Sequence, residues 1–267
     1  METFGRDQIP ISREAFAEIE ARAATALGAN LSARRFVDVR GPFGWDYSGV
    51  PTGRLGEVRQ DSGVDFGVRM VMPLVESRVG FELGMGEFLN FERGAADIDM
   101  TALERAAIAI AAFEDKAVYR GLDDTSITGM RPVSWYPPLE LPRADPEAFV
   151  RAISVSTYAM KAGQSIDGPY ALVGGHALRY ALGKFVSSRT LYEVLTANTD
   201  ITEFIFTPSY DGAYLVSLRG GDFDLSLGCD FTVGFERRDG DTLKFYLTES
   251  FAFRVLEPRA FRVLELK

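Results

Sequence analysis

Apolar residues spaced three and four positions apart predict three long helices. Ser12 is a suitable N-cap for the first helix. Thr101, with a glutamate three residues later, forms a predicted capping box for the second helix, which ends near Gly121. Asp145, followed directly by proline, starts the third helix. The apolar stripes of the three helices are Phe16, Ile19, Ala23 and Leu27; Leu103, Ala107, Ile110, Phe113 and Ala117; and Phe149, Ile153, Thr157 and Met160.

Shorter runs with a period of two predict a strand-rich C-terminal third, preceded by two short helices at 176–182 and 190–197. Helices and strands mix without regular βαβ alternation, so the pattern predicts the α+β class. The run Phe253–Glu257 recurs at Phe261–Glu265, and we interpret the second copy as one more edge strand. The other predicted strands are 36–40, 169–173, 204–206, 214–218, 223–227, 231–235, 243–248 and 251–256.

Residues 50–80 have the pattern of a long β-hairpin. A polar, glycine-punctuated tip at 51–65 is followed by near-alternating apolar residues from Val64 to Met72 and then by residues up to Gly80. A lone hairpin is only marginally stable in water. We therefore expect a neighbouring subunit to cover this arm.

Composition and charge exclude several classes of partner. With 267 residues, 46% of them hydrophobic and 25% charged, the chain is long enough to bury a sizeable core. Its formal net charge of -9 opposes contact with phosphate backbones, so no nucleic-acid partner is expected. No apolar run approaches a membrane span and no signal-like N-terminus is present. We therefore expect no membrane partner and a cytoplasmic location.

The sequence offers little catalytic chemistry. His176 is the only histidine and Cys229 the only cysteine, so metal clusters and nucleophile–histidine pairs lack a second member. We expect a structural or surface role for His176 and a buried, inert thiol within a strand for Cys229. The adjacent Glu114 and Asp115 point in different directions on a helix and are interpreted as a solvated face or a subunit contact. The chain is therefore predicted not to be an enzyme, with no catalytic residue and no metal site.

Three separated segments carry a resemblance to a known family. They are Arg34–Tyr47, the pair Phe113–Asp115 and Tyr119–Gly121, and Leu218–Pro258. In this order they resemble encapsulins, which are bacterial shell proteins built on the fold of tailed-phage capsids. The resemblance extends from about Ile11 to Pro258. It implies the HK97 phage-capsid-like fold, with a peripheral domain, an axial domain and an extended β-hairpin loop.

The resemblance also divides the chain into segments. It places the N-terminal helix and the start of the peripheral domain at 1–49, and the extended loop at 50–80. The peripheral domain with its spine helix follows at 81–130, the pore-forming axial domain at 131–222, and further peripheral strands at 223–267.

The function implied by the resemblance is that of a shell. Encapsulins self-assemble into icosahedral nanocompartments, the simplest with sixty subunits, around a cargo enzyme whose C-terminal targeting peptide binds the inner wall. The cargo is often a dye-decolorising peroxidase or a ferritin-like protein, which implies oxidative-stress defence or iron storage. Two alternatives stay open: a phage or prophage major capsid protein, which shares the fold, and a hydrolase-like or bacteriocin-like protein.

The resemblance further implies two functional sites. In the peptide groove, apolar side chains supply affinity, while Arg34 and Asp38 at the rim fix orientation. Gly86 stands where flavin-binding relatives have a tryptophan, so no cofactor is expected. The groove residues are Phe16, Leu27, Leu31, Arg34, Phe36, Asp38, Asp230, Phe231 and Val233, and the five-fold pore loop comprises Gly183, Lys184, Phe185, Val186, Ser187 and Ser188.

Overall fold

The computed structural model describes residues 4–267, in which two five-stranded sheets are combined with helices and a long hairpin. The mixture confirms the predicted α+β class. The elements in chain order are α1 (Arg13–Asn30), β1 (Asp38–Arg40), β2 (Gly49–Leu55), β3 (Arg59–Asp61), β4 (Val64–Phe66), β5 (Arg69–Pro73), β6 (Val75–Gly84), α2 (Met85–Glu92), α3 (Thr101–Arg120), β7 (Leu139–Leu141), α4 (Pro146–Gln164), β8 (Tyr170–Gly174), α5 (His176–Leu182), β9 (Phe185–Val186), β10 (Arg189–Thr190), α6 (Leu191–Asn198), β11 (Ile201–Phe206), β12 (Ala213–Ser217), β13 (Phe223–Leu227), β14 (Thr232–Asp239), β15 (Thr242–Val255) and β16 (Phe261–Leu266).

The first sheet is organised around β15. Its strand order is β1-β13-β15-β14, and β6 pairs antiparallel with β15 over Thr242–Phe251. Helix α3 contacts β6 and β15, and α1 packs on α3. The apolar stripe of α1 therefore faces inward, and Ile19 and Ala23 are buried in the same core cluster as Leu103 of α3 and Phe245 of β15.

The second sheet has the order β11-β8-β12-β16-β7, and every residue of β8 and β12 is buried. The second copy of the C-terminal repeat forms β16. It was predicted to be an edge strand, and this is wrong, because β16 lies between β12 and β7. Burial of Phe261, Val263 and Leu264 to 1% exposure or less favours this interior position.

The helix ends agree with the sequence pattern except at the start of α3. Ser12 accepts a hydrogen bond from the Ala15 N–H, and Asp145 caps α4 in the same way. The predicted capping box at Thr101 is wrong. Thr101 is the first helical residue, and the side chain of Asp99 accepts its N–H at 2.9 Å. Gly121 ends the helix as predicted, with a positive φ of 87°.

The predicted long hairpin is present but shorter than expected. Strand β2 pairs with β5 and β3 with β4. The tip is the two-residue turn Ser62–Gly63, in which both residues have positive φ, as hairpin turns of this length require. The hairpin ends at Pro73 rather than at residue 80. Alternate residues of β6 face the core, among them the buried Phe81 and Leu83, so this segment belongs to the first sheet.

Strands 243–248 and 251–256 were predicted as separate, and this is also wrong. They form the single 14-residue strand β15. The polar run Thr248–Ser250 is buried in the middle of that strand. Strand β13 pairs with the second half of β15, and β14 pairs with the first half. Strand pairing therefore continues on both sides of the polar run.

Candidate functional site

A groove of about 410 Å³ lies between the C-terminal half of α1 and the start of β14. The structure brings six of the nine predicted groove residues together there. Four of them are apolar side chains from both walls, and Arg34 and Asp230 meet at one end. The complete lining is Glu20, Ala23, Ala24, Leu27, Gly28, Leu31, Arg34, Asp230, Phe231, Val233 and Leu247.

The other three predicted groove residues lie elsewhere. Phe16 lines a neighbouring cavity at the N-terminal end of α1. Phe36 is 8% exposed and packs edge-on against Phe223, with 5.6 Å between ring centroids, so it belongs to the core. The Asp38 carboxylate accepts the Gly221 N–H at 2.6 Å and thereby holds the loop before β13.

Local structure explains why the groove residues converge. Leu31 ends α1, and its N–H still donates to the Leu27 carbonyl, so both side chains follow one helix face. A 3-10 turn at Ala33–Arg35 then redirects the chain towards β1 and turns Arg34 back to the start of β14. Opposite, the Asp230 carboxylate accepts its neighbour's N–H at 2.8 Å, which fixes the entry into β14.

Arg34 is held by carboxylates on several sides. Its Nε and Nη2 donate to Glu114 at 3.0 and 2.6 Å, and its Nη1 donates to Asp230 at 2.9 Å. Nη2 also reaches Glu249 at 3.3 Å. The guanidinium carbon lies 4.7 Å from the centroid of the Phe231 ring, an arrangement that suits a cation–π contact. Most of the donor capacity of Arg34 is therefore used within the chain.

The interpretation of Glu114 and Asp115 as a solvated face is wrong, because both are 0% exposed. Asp115 accepts the N–H of Ala33 at 3.0 Å and the hydroxyl of Ser32 at 2.6 Å. It also accepts the hydroxyl of Thr207 at 3.2 Å. Adjacent positions on α3 thus perform different tasks: Asp115 fixes the backbone of the turn, and Glu114 fixes the side chain of Arg34.

Burial governs the protonation of this cluster. Desolvation raises the pKa of Glu114 and, more strongly, that of Glu249, whose pKa the nearby Glu114 charge raises further. Burial alone lowers the pKa of Arg34, but Glu114, Asp230 and Glu249 together outweigh it and hold that pKa above its usual value. One arginine thus faces two buried glutamates, and Glu249 is the one whose pKa is raised more strongly.

The exposed polar groups of the groove are acidic. The side chain of Arg34 is 17% exposed, whereas that of Asp230, which pairs with Arg34, is 44% exposed and that of Glu20, which pairs with Arg6, is 43% exposed. Glu20 was absent from the predicted set, although it lies four residues after Phe16 and seven before Leu27 on the same helix face. The groove therefore combines an apolar floor with a negatively charged rim.

The predicted pore loop forms a small hairpin of its own. β9 and β10 pair antiparallel around Ser187, which has a positive φ of 57°. The Phe185 side chain at its start is 68% exposed. Lys184 donates to the Arg143 carbonyl at 2.7 Å, which ties the hairpin to the segment before α4. The role of this hairpin in a pore stays a prediction.

Other chemistry is sparse in the part of the chain that the structure describes. Within residues 4–267, no cluster of three or more metal-ligating side chains occurs, and no helix combines the length and apolarity needed to cross a bilayer. His176 is exposed beside a small cavity, consistent with the surface role predicted for it. Cys229 was predicted to lie within a strand; it is half-buried in the bend between β13 and β14.

Comparison with known sequences supports one family. Residues 1–252 match the family model described as an encapsulating protein for peroxidase. A type 1 encapsulin shell protein of Rhodospirillum rubrum is 40% identical over 96% of this chain and 93% of its own length. A type 1 encapsulin shell protein of Mycobacterium tuberculosis is 34% identical over 95% of each chain.

Comparison with solved structures supports the fold. The virus-like particle of Pyrococcus furiosus superposes with a TM-score of 0.67 at 18% identity, covering 94% of this chain and all of that one. The capsid of Myoviridae phage XM1 superposes with a TM-score of 0.58 at 15% identity, covering 88% and 91% of the two chains. Both likenesses confirm the predicted capsid-like fold.

Proposed function

The chain belongs to the encapsulin family of shell proteins, and we propose that sixty copies of it form a closed icosahedral compartment around a cargo enzyme. The relatives are named as shell proteins, which is a structural role, and this chain shares it. We further propose the shell size, the cargo and the way in which cargo is captured.

The hairpin supports assembly. Large apolar side chains along it stand in solvent in the single chain: Val68 is 72% exposed, Val64 66% and Phe66 50%. An isolated two-stranded arm with such a surface is unstable and aggregation-prone in water. Neighbouring copies of the chain would cover it, as the capsid-like fold requires.

Electron microscopy and size-exclusion chromatography of the purified chain test assembly. We expect hollow particles from the wild type and small, folded species from Val68→Asp, which places a charge in the buried contact. Ser62→Asp adds the same charge at the turn of the same hairpin and should leave particles intact. A wild-type chain that stays monomeric in dilute solution would contradict the proposal. Nucleic acid extracted from the particles would instead support a phage capsid, which the net charge of -9 opposes.

We propose that the groove holds the targeting peptide at the C-terminus of the cargo. The observation that carries this proposal is the convergence of Leu27, Leu31, Phe231 and Val233 in one cavity beside charged groups. Peptide grooves commonly combine an apolar floor with a few fixed polar groups. The family model's description favours a peroxidase as the cargo, with a ferritin-like protein as the other proposed class.

The charges of the groove define the kind of peptide that it accepts. Arg34 has its carboxylate partners within the chain, so it is a poor anchor for an acidic peptide. Glu20 and Asp230 are negative and partly exposed, and each has only one arginine partner among the ion pairs of the described residues, Arg6 for Glu20 and Arg34 for Asp230. The best-fitting peptide therefore has several apolar side chains and at least one lysine or arginine beside these carboxylates.

Cargo capture can be measured with a fluorescent reporter protein that carries the C-terminal tail of a candidate cargo peroxidase. Co-expressed wild-type particles should contain the reporter, and Leu31→Asp and Phe231→Ala particles should contain several-fold less. Leu256→Asp is the matched control, because Leu256 is 45% exposed and does not line the groove. Equal loading in the groove variants and the control would contradict the groove assignment, whatever the state of assembly.

The domain boundaries and the pore are proposed on the resemblance alone. We propose that residues 183–188 line the five-fold pore and that residues 131–222 form the surrounding axial domain. The exposed Phe185 and Tyr180, at 68% and 74%, would then meet neighbouring copies around the axis. A cryo-electron-microscopy map of the particles checks both, since density for another segment at the five-fold axis would exclude this assignment.

A further inference from the structure

The outer edge of β14 forms part of the groove wall, and the chain's own N-terminal segment occupies one end of it. Among the described residues, β14 is the last strand of the first sheet, and β15 is its only strand partner. On its other side, the Phe235 N–H donates to the Phe4 carbonyl at 2.9 Å. The Val233 carbonyl accepts the Nε and Nη2 atoms of Arg6 at 3.3 Å. The edge is therefore accessible and able to pair.

Because hydrogen-bonding directions alternate along β14, one backbone N–H on this edge is left without a partner in the described part of the chain. Because hydrogen-bonding directions alternate along a strand, the N–H groups of Val233 and Phe235 point to the same outer side. Phe235 is paired with Phe4, whereas the Val233 N–H has no partner among the residues from 4 to 267. Val233 lines the groove, so the open backbone position and the apolar floor belong to one surface.

Arg6 separates this groove from a second cavity. The second cavity, of about 610 Å³, lies at the N-terminal end of α1 and is lined by Ile9, Ile11 and Phe16 among others. Glu20 lines both cavities, and Arg6 Nη2 is 2.8 Å from Glu20 Oε1. This ion pair and the Arg6 contact to Val233 therefore lie where the two cavities adjoin.

We propose that the cargo's targeting peptide binds by adding a strand to the outer edge of β14, and that the segment Phe4–Arg6 holds the end of that edge until the peptide displaces it. A basic residue of the peptide would then take the place of Arg6 beside Glu20, and its backbone would pair with Val233. This inference rests on the proposed function, because it concerns the same groove and the same ligand.

The N-terminal segment is built to pair closely and to be removed easily. Gly5 adopts a positive φ of 66°, and a Cβ there would lie 2.7 Å from the Phe235 carbonyl oxygen, so only glycine allows this approach. The Arg6–Glu20 pair is partly exposed, at 33% and 43%, and exposed ion pairs contribute little. When the peptide adds a strand, its main-chain hydrogen bonds to β14 replace these few contacts of the N-terminal segment.

The test compares reporter loading in three full-length variants, under co-expression with limiting amounts of the same tail-bearing reporter. Arg6→Ala removes the ion pair and the contact to Val233. Gly5→Ala adds a Cβ that prevents the N-terminal segment from approaching the Phe235 carbonyl closely. Both should raise loading per particle several-fold. Arg13→Ala is the control, since Arg13 lines the second cavity but not the groove.

Equal or lower loading in both Arg6→Ala and Gly5→Ala, with measurable wild-type loading, would overturn this inference and leave the proposed function intact. A tail that fails to load into wild-type particles would overturn the proposed function as well. Hydrogen exchange on loaded and empty particles provides a second measurement. Strand addition predicts that loading slows exchange of the Val233 amide, and unchanged exchange there would contradict it.

Discussion

Replacing Arg34 with methionine should destabilise the protein strongly, because Arg34 neutralises charge that is buried beneath the groove. Its side chain is 17% exposed, whereas Glu114 and Glu249 are 0% exposed. Methionine keeps much of the side-chain volume but leaves the Glu114 carboxylate without its bidentate partner. Removing one partner of a buried ion pair costs about 3–5 kcal/mol, since the remaining charge is left uncompensated.

That cost should appear as a large fall in thermal stability. For domains of this size, 1 kcal/mol corresponds to about 2–4 °C, so the unfolding midpoint should fall by roughly 6–20 °C. Scanning fluorimetry of wild-type and Arg34→Met particles measures it, at equal protein concentration and scan rate because the chain assembles. Lowering the pH should reduce the difference, since protonation of Glu114 removes the uncompensated charge.

Two further variants make this prediction refutable. Arg34→Met combined with Glu114→Gln should recover most of the loss, because the second change removes the stranded charge and keeps the shape. Arg35→Met changes the next residue, whose side chain is 52% exposed and 3.4 Å from Glu203, and should cost less than about 1 kcal/mol. If Arg34→Met unfolds like Arg35→Met, or if the double variant is no more stable than the single, the charge argument is wrong.

Three other substitutions follow from the same structure. Glu249→Gln should make the stability of the protein less dependent on pH. The folded-state pKa of Glu249 is raised, so this residue favours folding below its ordinary pKa of 4.5, and that contribution is lost as the pH rises. Scanning fluorimetry between pH 5 and pH 8 should therefore show a smaller fall in unfolding temperature for the variant than for the wild type. Asp115→Asn should lower the free energy of unfolding by about 1–3 kcal/mol, because an amide cannot accept all the hydrogen bonds that Ser32 and its neighbours donate. Chemical denaturation should show the lower stability, and a parallel loading assay should show weaker cargo capture. Gly129→Ala should yield insoluble protein in expression trials, because Gly129 has a positive φ of 71° and its Cβ would clash with the backbone of Gly121.

The sequence predicted the local elements and the family well. Caps such as Ser12 and Asp145 depend on neighbouring residues, and the structure places both as expected. Long-range order was less accessible. Because β16 and β15 are each placed by pairing with distant strands, neither the interior position of β16 nor the continuity of β15 follows from local patterning.

The groove was predicted in part, and the residues that support it were missed. Glu114 and Asp115 looked like surface carboxylates because charged residues are rarely fully buried unless they are paired. Their partners are 80 or more positions away in sequence: Arg34 for Glu114, and Ser32 and Thr207 for Asp115. Such pairings depend on tertiary contact, so neither periodicity nor spacing could have indicated them.

The arrangement of these carboxylates connects stability with the proposed peptide recognition at Arg34. Consecutive residues of a helix face different directions, so Asp115 reaches the turn backbone while Glu114 reaches the Arg34 side chain. A turn fixed in this way loses little freedom when a peptide binds, which favours affinity. It also means that a change at Arg34 alters folding and capture at once. Leu31 lines the groove and makes no ion pair with this cluster, so it is the position at which recognition can be measured on its own.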